Sequence, residues 1–517
     1  MRKYTSWFAV PLIAVVFNAC SGSTNNITID GKLTKIGMYD TQKEGGSEIS
    51  AFSIQSKRLF TTNGATNKID VINLSDVKNP TLISSMDLSL YGSSIQSVST
   101  SDDKVAVAVG SHSVKIKGKV VIFDIEGNFL SQTVVGYLPD MVMFTKDGAK
   151  VIVANEGEPD ASSGKYIDVR GSIGVVTVSQ TTKKANNRGY KEVLFSDSDL
   201  VSAKDGTKVR LGGTPSNRAK LDIEPEYITI SDDIAYVTLQ ENNAIAKVDI
   251  SEAMPKLTLV KSLGKKSYSD TNTIDIEEEG KILLKNYPNL YSLYQPDSIS
   301  SYKVDGKTYL VTANEGDGRE YCSSKDKECD NPVFIDEKKI KKLKLSKSIK
   351  SAYKKENDLK VMIDLGDKNN DGVYEELYTY GARSFSIWDE NANLVYDSGD
   401  FISKKVAQLE PKLFNQDENE MDKRSGNKGS EPEALTVGQI DGKTYAFIGL
   451  ERQSSILVYD ISNPKEPKYL TYYKSHENGD LSPEGMVFVP ATKSPNGKNI
   501  LIVSYEGSGS TVVYEIN

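Results

Sequence analysis

The sequence has 517 residues, with 63 Lys and Arg against 71 Asp and Glu, 2 His, 3 Cys and a formal net charge of −8. Two histidines are too few for a multi-histidine zinc hydrolase, and the acidic balance argues against a nucleic-acid partner, which requires a basic face. Carboxylates are plentiful, so any bound metal is expected to be a hard, oxygen-preferring cation such as calcium.

The N-terminus has the pattern of an export signal. Two basic residues precede an apolar stretch over residues 7–17, which is too short to span a bilayer. The residues that end in Cys20 resemble the cleavage box of bacterial lipoproteins. We therefore predict a signal peptide over residues 1–19, lipidation of Cys20 and a flexible tether over residues 20–31; ordinary signal cleavage beside an incidental cysteine is the alternative. The lipid would be the membrane contact of an outer-membrane or cell-surface lipoprotein, with a periplasmic location as the alternative.

Two further cysteines, Cys322 and Cys329, lie close together in a polar segment. Export to an oxidising compartment would allow them to form a disulfide that closes a small loop. The alternative, a zinc site, lacks further thiols or a nearby histidine, so we predict the disulfide.

A short pattern recurs seven times along the chain: an acidic residue, or once an amide, followed by alternating apolar positions. Each copy leads into further β-rich runs, and three of the intervals match the roughly 40–50 residues of a four-stranded propeller blade. We therefore predict an all-β fold, a seven-bladed β-propeller that forms a single domain over residues 32–517, with insertions near residues 180–222, 264–293 and 317–362. The recurring positions, which we call the first row, are Glu48, Gln96, Asp140, Glu226, Asp297, Glu433 and Glu484.

The two ends of the chain predict how the ring closes. The last copy of the pattern stops after its third strand, at residues 511–516, so an outer strand is missing there. Residues 32–39 resemble the outer strands of other copies, at residues 80–88 and 467–473. We predict that this N-terminal strand completes the last blade and leaves the ring without an open edge.

Long motifs make the sequence similar to a known family. A close resemblance to the choice-of-anchor I family is carried by LPDMVMFTKDGAKVIVANEGEPD (138–160), YQPDSISSYKVDGKTYLVTANEGDGREY (294–321) and EPEALTVGQIDGKTYAFIGLER (431–452). That family is related to the mesenchyme-specific cell surface glycoprotein of calcifying animals, and the resemblance extends from about residue 32 to residue 517. It implies an exported surface propeller with a link to calcium and biomineral rather than a defined reaction.

Acidic residues fall at two equivalent places in the predicted blades. In a propeller the first strand of a blade lines the channel and the second strand returns beside it. The start of the first strand and the end of the second therefore lie on the same face of the ring. A second row, at the ends of the second strands, contains Glu156, Glu241, Glu315, Glu451 and Glu506.

The two rows together would form an acidic ring around one mouth of the channel. Calcium suits such a ring because it accepts six to eight oxygen ligands from carboxylates, carbonyls and water. In the alternative interpretation, each first-row acid accepts hydrogen bonds from backbone N–H groups of its own or the next blade. The second row favours the cation, since Asn155-Glu156-Gly157 and Asn314-Glu315-Gly316 place a carboxylate, an amide oxygen and bare backbone together.

A second calcium site is predicted in the loop over residues 367–375, which matches the first part of an EF-hand loop with Gly372 at the sharp turn. Position 12 of the motif is Tyr378 instead of Glu, so we expect a calcium loop that borrows a carboxylate from Glu376 or Asp364. A plain turn between strands is the alternative. The expected ligands are Asp367, Asn369, Asp371, the carbonyl of Val373 and Glu375.

Basic residues gather near the acidic rows, at Arg319, Arg383, Lys428 and Arg452. They either neutralise the acidic mouth as ion pairs or hold an anion beside a bound metal. The leading hypothesis is a non-enzymatic, monomeric surface propeller that binds calcium and an extracellular mineral, polymer or small anionic ligand. The alternative is a calcium-dependent hydrolase, a phosphoesterase or lactonase, with its candidate catalytic residues at Glu315, Arg319, Arg383 and Arg452.

Overall fold

The computed structural model describes residues 30–179, 184, 189–212, 214–216, 218–327, 329–354 and 357–517. The predicted signal peptide, Cys20 and most of the predicted tether lie outside these residues. The described part of the chain consists mostly of β-strands, which confirms the predicted all-β class. Within it, no helix has the length and apolar character that crossing a bilayer requires.

Seven sheets of four or five strands contain 29 of the 36 described strands. The chain opens with β1 (Leu33–Asp40), which belongs to the last of these sheets. Sheet 1 contains β2 (Ser50–Ser53), β3 (Arg58–Asn63), β4 (Lys68–Asn73) and β5 (Thr81–Asp87). Sheet 2 contains β6 (Ser94–Thr100), β7 (Lys104–Gly110), β8 (Lys119–Asp124) and β9 (Phe129–Val134). Sheet 3 contains β10 (Pro139–Phe144), β11 (Lys150–Asn155), β12 (Ser172–Thr177) and β13 (Lys191–Val193).

Sheet 4 has five strands, because a short strand that precedes it in sequence pairs parallel with its outer strand. It contains β14 (Leu200–Val201), β15 (Ile228–Ser231), β16 (Ile234–Leu239), β17 (Ala244–Asp249) and β18 (Lys256–Ser262), with helix α1 (Ala219–Asp222) after β14. Two short strands follow, β19 (Lys265–Ser267) and β20 (Leu290–Leu293).

Sheet 5 is interrupted by a long insertion. Its first two strands are β21 (Ile299–Val304) and β22 (Lys307–Asn314). The insertion contains β23 (Glu320–Tyr321), β24 (Phe334–Ile335), β25 (Glu337–Lys339), α2 (Lys347–Ala352), β26 (Lys360–Met362) and β27 (Leu377–Thr379). The sheet then resumes with β28 (Ser384–Asp389) and β29 (Leu394–Asp397), and α3 (Phe401–Leu409) follows. The insertion also carries the predicted disulfide between Cys322 and Cys329, which is confirmed.

The last two sheets complete the chain. Sheet 6 contains β30 (Pro432–Ile440), β31 (Lys443–Leu450), β32 (Ser455–Asp460) and β33 (Lys468–Lys474). Sheet 7 contains β34 (Pro483–Val489), β35 (Ile500–Tyr505), β36 (Ser510–Ile516) and β1. Short 3-10 helices lie at Asp197–Asp199, Ile340–Lys342, Pro411–Leu413 and Ser475–Asn478.

The N-terminal strand pairs with the end of the chain, as the sequence predicts. β1 runs antiparallel to β36, with Leu33 opposite Ile516 and Asp40 opposite Ser510. The strand order of sheet 7 is therefore β1-β36-β35-β34. This pairing covers the outer edge of β36, which would otherwise present unpaired N–H and C=O groups.

The apolar core lies between neighbouring sheets. The inner strands are apolar on both faces because each sheet is covered on both sides, and every residue of β7 is buried. Phe60 of sheet 1 and Val107 of sheet 2 belong to one buried cluster, and Ile152 of sheet 3 and Val237 of sheet 4 belong to another. Full burial of such a side chain contributes about 1.5–3 kcal/mol.

The first strands of the seven sheets surround a central channel. Each first strand contacts the first strand of the next sheet, and β34 of sheet 7 contacts β2 of sheet 1. Together they line a cavity of about 290 Å³. Its walls come from residues 49–52, 98–100, 141–143, 227–229, 299–300, 435–436 and 485–487.

Candidate cation site at the channel mouth

The first row converges on one cavity of about 310 Å³ where the first strands begin. This cavity adjoins the channel, because Ile49, Met141 and Tyr227 line both. All seven first-row residues line it, together with Glu156 and Glu506 of the second row. The other second-row acids lie next to its walls, where they raise the pKa of lining residues: Glu241 acts on Glu226, and Glu451 and Glu315 act on Glu433.

An irregularity in strand pairing accompanies four of the seven first-row residues. The antiparallel register shifts at Gln96, Asp140, Glu433 and Glu484. Such a bulge leaves a residue out of the ladder and turns its side chain in a new direction. Three of these strands begin with a proline, which has no N–H to donate and fits a strand start. The prolines are Pro139, Pro432 and Pro483.

One side of the mouth, which we call the acid-rich side, has many carboxylates and a single basic residue among its members. These members are Asp140, Glu156, Glu158, Glu224, Glu226, Glu241 and Arg319. Arg319 is buried and is committed to Glu224, with Nη2 3.0 Å from Glu224 Oε2. Two oxygens on this side, Glu226 Oε2 and Glu241 Oε2, are buried without a hydrogen-bond partner.

The other side, which we call the paired side, holds carboxylates against basic side chains. Its members are Glu315, Asp317, Glu431, Glu451, Arg424, Lys428 and Arg452. Lys428 Nζ lies 2.6 Å from Glu315 Oε1 and 3.3 Å from Asp317 Oδ1. Arg452 Nε lies 3.0 Å from Glu431 Oε2. The carboxylates of Glu315, Glu431 and Glu451 each offer an oxygen within 4.8 Å of the other two.

Burial and neighbouring carboxylates raise the pKa values on the acid-rich side. Burial and Glu241 raise the pKa of Asp140 to about 6, and the same two causes raise the pKa of Glu158 to about 7. The pKa of Glu226 lies well above its usual value through burial, Glu241 and Glu156. Carboxyls of this kind keep their protons near neutral pH unless a cation takes the place of the protons.

On the paired side, basic side chains of the protein lower the pKa of Glu431 instead of leaving it raised. Burial raises its pKa, but Lys428, Arg424 and Arg452 together lower the pKa to about 2. Burial and the charge of Glu431 raise the pKa of Glu451 to about 9. The carboxylate of Glu431 is thus compensated by side chains of the protein itself.

Four of these acids, including Asp317 two residues after Glu315, stand outside the two rows that the sequence predicts. Glu224 and Glu431 lie two residues before first-row acids, each in a Glu-Pro-Glu triplet, and Glu158 lies two residues after Glu156. The repeated triplet was the available signal for Glu224 and Glu431. The side chain of Glu224 binds Arg319 from a distant segment, which no local pattern could indicate.

The loop over residues 367–375 forms a turn around Asp367. Its carboxylate accepts hydrogen bonds from the backbone N–H groups of Asp371 (3.1 Å) and Gly372 (2.8 Å). Gly372 has a φ of 80°, a left-handed conformation that glycine adopts without strain. The Glu375 carboxylate accepts a hydrogen bond from the backbone N–H of Lys368 at 3.0 Å.

The two carboxylates expected to assist this loop each form an ion pair. Asp364 Oδ1 lies 2.8 Å from Arg210 Nη2. Glu376 Oε1 lies 2.8 Å from Lys368 Nζ. Each carboxylate is paired with a basic side chain, and the loop itself contains the five predicted ligands.

The candidate arginines are engaged by the protein. Arg319 and Arg383 are 1% and 2% exposed. Arg319 and the partly exposed Arg452 form ion pairs with carboxylates, as the ion-pair interpretation predicts. Arg383 differs from both alternatives, because it donates to the backbone carbonyls of Asp275 (2.9 Å) and Ser425 (2.8 Å).

Comparisons with known proteins identify relatives of the chain. The family model for the Choice-of-anchor I domain matches residues 48–464. Gigasin-3a from Magallana gigas is 28% identical over 169 residues, which are 28% of this chain and 60% of the relative. Mesenchyme-specific cell surface glycoprotein from Strongylocentrotus purpuratus is 27% identical over 226 residues, 37% of this chain and 29% of the relative. The matches thus span less than two thirds of either curated relative.

One solved structure with a similar arrangement is the β-propeller domain of Cps50 (Swd1) from Myceliophteria thermophila. It is 9% identical, with a TM-score of 0.44, and the alignment covers 94% of this chain and 100% of that chain. At this similarity the structure says nothing about the ligand or activity of the protein.

Proposed function

This chain belongs to the choice-of-anchor I family, and from that premise we propose that it is an exported, lipid-anchored, seven-bladed β-propeller that binds calcium at its acidic channel mouth. In this proposal the seven sheets are the blades, and the pairing of β1 with β36 closes the ring. The family and the cell-surface glycoprotein among the relatives support an exported or surface location.

The observation that carries the calcium proposal is the pair of unpartnered oxygens on the acid-rich side. Glu226 and Glu241 are 9% and 7% exposed, and their Oε2 atoms have no hydrogen-bond partner. A buried carboxylate oxygen without a partner is costly, because it has lost its water and gained nothing in return. A divalent cation in the acidic cavity would remove this cost, and calcium accepts the many flexible oxygen ligands that surround it.

The loop over residues 367–375 supports a second, weaker calcium site. Its carboxylates are exposed and already accept backbone N–H groups, so the turn exists without the ion. Solvent and salt screen the charges of exposed carboxylates, which lowers their affinity for a cation. We therefore assign the stronger site to the channel mouth.

The direction of β1 supports a role in binding at the cell surface. Leu33 lies opposite Ile516, whereas the segment after Asp40 reaches the mouth, where the Gly45 N–H donates to the Glu506 carbonyl at 3.0 Å. An anchor that precedes β1 would attach at the far face and leave the mouth directed outward. The proposed ligand is an extracellular mineral, polymer or small anion that meets the bound calcium there.

We do not assign a hydrolase activity. Arg319 and Arg383 are buried and bonded within the protein, and Arg452 is paired with Glu431. An anionic substrate at the mouth would have to displace these partners. Glu315, the fourth catalytic candidate, is bound by Lys428.

Calorimetric titration of the purified protein with calcium tests the proposal. We expect binding that a chelator abolishes, and an affinity at least about tenfold lower in the double variant E226Q/E241Q, because a lost ligand costs no less than a lost supporting contact. The matched control is E252Q, which changes an exposed glutamate and should leave the affinity unchanged. A wild-type protein that binds no calcium at millimolar concentration would end the calcium proposal.

The anchor is tested separately by cell fractionation. We expect the wild-type protein in the membrane fraction and the Cys20→Ser variant in the soluble fraction. Wild-type protein that is released without its lipid, or a Cys20→Ser variant that stays with the membrane, would contradict the anchor.

A further inference from the structure

Lys428 lies among the carboxylates of the paired side like a bound cation. Its Nζ is 2.6 Å from Glu315 Oε1, 3.3 Å from Asp317 Oδ1 and 3.8 Å from Glu431 Oε2. The ammonium donates hydrogen bonds to the carboxylates of Glu315 and Asp317, and the Glu431 carboxylate lies within ion-pair distance of it. The side chain is only 13% exposed, so the ammonium is largely shielded from solvent.

The carboxylates around Lys428 have the spacing of a cation site. Oxygens of Glu315, Glu431 and Glu451 lie within 4.8 Å of one another. The second oxygen of Glu315 accepts a hydrogen bond from Gln240 Nε2 at 3.0 Å, which fixes the orientation of that carboxylate. Lys428 contacts two members of this cluster, and an additional cation there would face its positive charge at close range.

The two arginines of the paired side do not replace Lys428 in this position. Arg424 and Arg452 both bind Glu431, through Nε atoms at 2.6 and 3.0 Å. Lys428 alone among these three joins Glu315 to Glu431. Its removal would leave Glu315 and Asp317 without the cation that now compensates them.

The acid-rich side offers the contrast. Its basic member, Arg319, contacts Glu224, while Glu226 and Glu241 keep buried oxygens with no hydrogen-bond partner. A cation from solvent would compensate these oxygens, whereas Lys428 already compensates Glu315 and Asp317 on the paired side.

We propose that Lys428 is a specificity-determining residue that sets how many divalent cations the mouth binds, because its ammonium lies against Glu315 and Glu431 of the Glu315–Glu431–Glu451 cluster and confines the divalent cation to the acid-rich side. This inference rests on the proposed function, since it concerns the same mouth. On the paired side, the Lys428 ammonium takes the position that a bound cation would otherwise have.

The number of calcium ions bound by Lys428→Met tests the inference. Methionine keeps the length of the apolar stem and removes the charge, so we expect one calcium ion more per chain than in the wild type, measured by calorimetry at about pH 8. The matched control Lys428→Arg retains the charge and should bind the wild-type number. The double variant K428M/E315Q should lose the additional ion, which places that ion in the cluster.

The outcomes separate this inference from the proposed function. A K428M protein that binds the wild-type number with wild-type affinity overturns the inference and leaves calcium binding intact. A wild-type protein without calcium ends the proposed function, yet a first ion gained by K428M still supports the role of Lys428. If K428M unfolds without calcium, recovery of its circular dichroism on calcium addition supports the inference, and failure to recover overturns it.

Discussion

The two sides of the channel mouth both concentrate buried carboxylates but differ in the cations that the protein supplies. On the paired side, Lys428, Arg424 and Arg452 surround Glu431 and lower its pKa to about 2 against the effect of burial. On the acid-rich side, the pKa of Glu226 lies well above its usual value, and one of its oxygens has no partner. A ring of acids therefore favours an external cation only where the fold leaves the carboxylate charge uncompensated.

The variant E431Q removes a carboxylate from the paired side and should have the largest effect on stability. It leaves Lys428, Arg424 and Arg452 around a neutral amide, and breaking a buried ion pair costs about 3–5 kcal/mol. We expect the free energy of unfolding in urea to fall by about 3 kcal/mol, since solvent screens the partly exposed Arg452. Calcium affinity at the acid-rich side should change little. An E431Q protein as stable as the wild type would remove the basis of the comparison.

The pH dependence of the calcium-free protein should come from the carboxyls at the mouth whose pKa values are raised, including Glu451 of the paired side with a pKa of about 9. A carboxyl whose pKa is raised by folding keeps its proton while the unfolded chain loses it, so the free energy of unfolding falls as the pH rises. The pKa values of Asp140 and Glu158 on the acid-rich side, at about 6 and 7, and of the first-row residue Glu484, at about 8, place this fall between about pH 4 and pH 8. Glu431, with a lowered pKa, contributes only at more acidic pH.

We expect a loss of several kcal/mol across that range, measured by urea unfolding in chelator, since each pKa unit corresponds to about 1.4 kcal/mol. Saturating calcium should suppress the loss, because the cation stabilises the ionised carboxylates of the folded protein. Stability that rises over the same range, or a fall that calcium does not change, would contradict the assignment of uncompensated carboxylates.

The variant E226Q sharpens the comparison because its two effects have opposite signs. Replacing Glu226 removes a ligand, so calcium affinity should fall about tenfold, which corresponds to about 1.4 kcal/mol. It also removes a buried, unpartnered carboxylate oxygen, so the calcium-free protein at about pH 8 should be at least as stable as the wild type. Parallel titration and thermal unfolding of E226Q and E431Q measure both effects. Loss of stability in calcium-free E226Q as large as in E431Q would show that the two sides are equivalent.

The smallest effect is expected from D367N, which lies in the exposed calcium-type loop. Asp367 supplies two of the acceptors for the backbone N–H groups of the turn, and a surface change of this kind alters stability by about 0.5 kcal/mol. Calorimetry should show the loss of the weaker calcium component with no change at the mouth. Loss of both components together would show that the sites are coupled.

The sequence repeat was sufficient to predict the strands and the two acidic rows, because each repeat places its acidic or amide residue at the start of a first strand. The pairing of β1 with β36 was also predictable, since the last repeat lacks an outer strand. The division of the mouth into an acid-rich side and a paired side was not predictable, because Lys428 and Arg424 come from a segment outside the repeat pattern. Arg383 was misassigned for a related reason: its partners are backbone carbonyls of segments remote in sequence.

Diffraction from crystals grown with calcium or terbium tests the central claim most directly, since anomalous scattering locates the ion. We expect an ion in the acidic cavity within about 2.3–2.6 Å of oxygens from Glu226 and Glu241, with Lys428 still bound to Glu315. An ion seated between Glu315 and Glu431, or a cavity without any ion at saturating calcium, would contradict that claim.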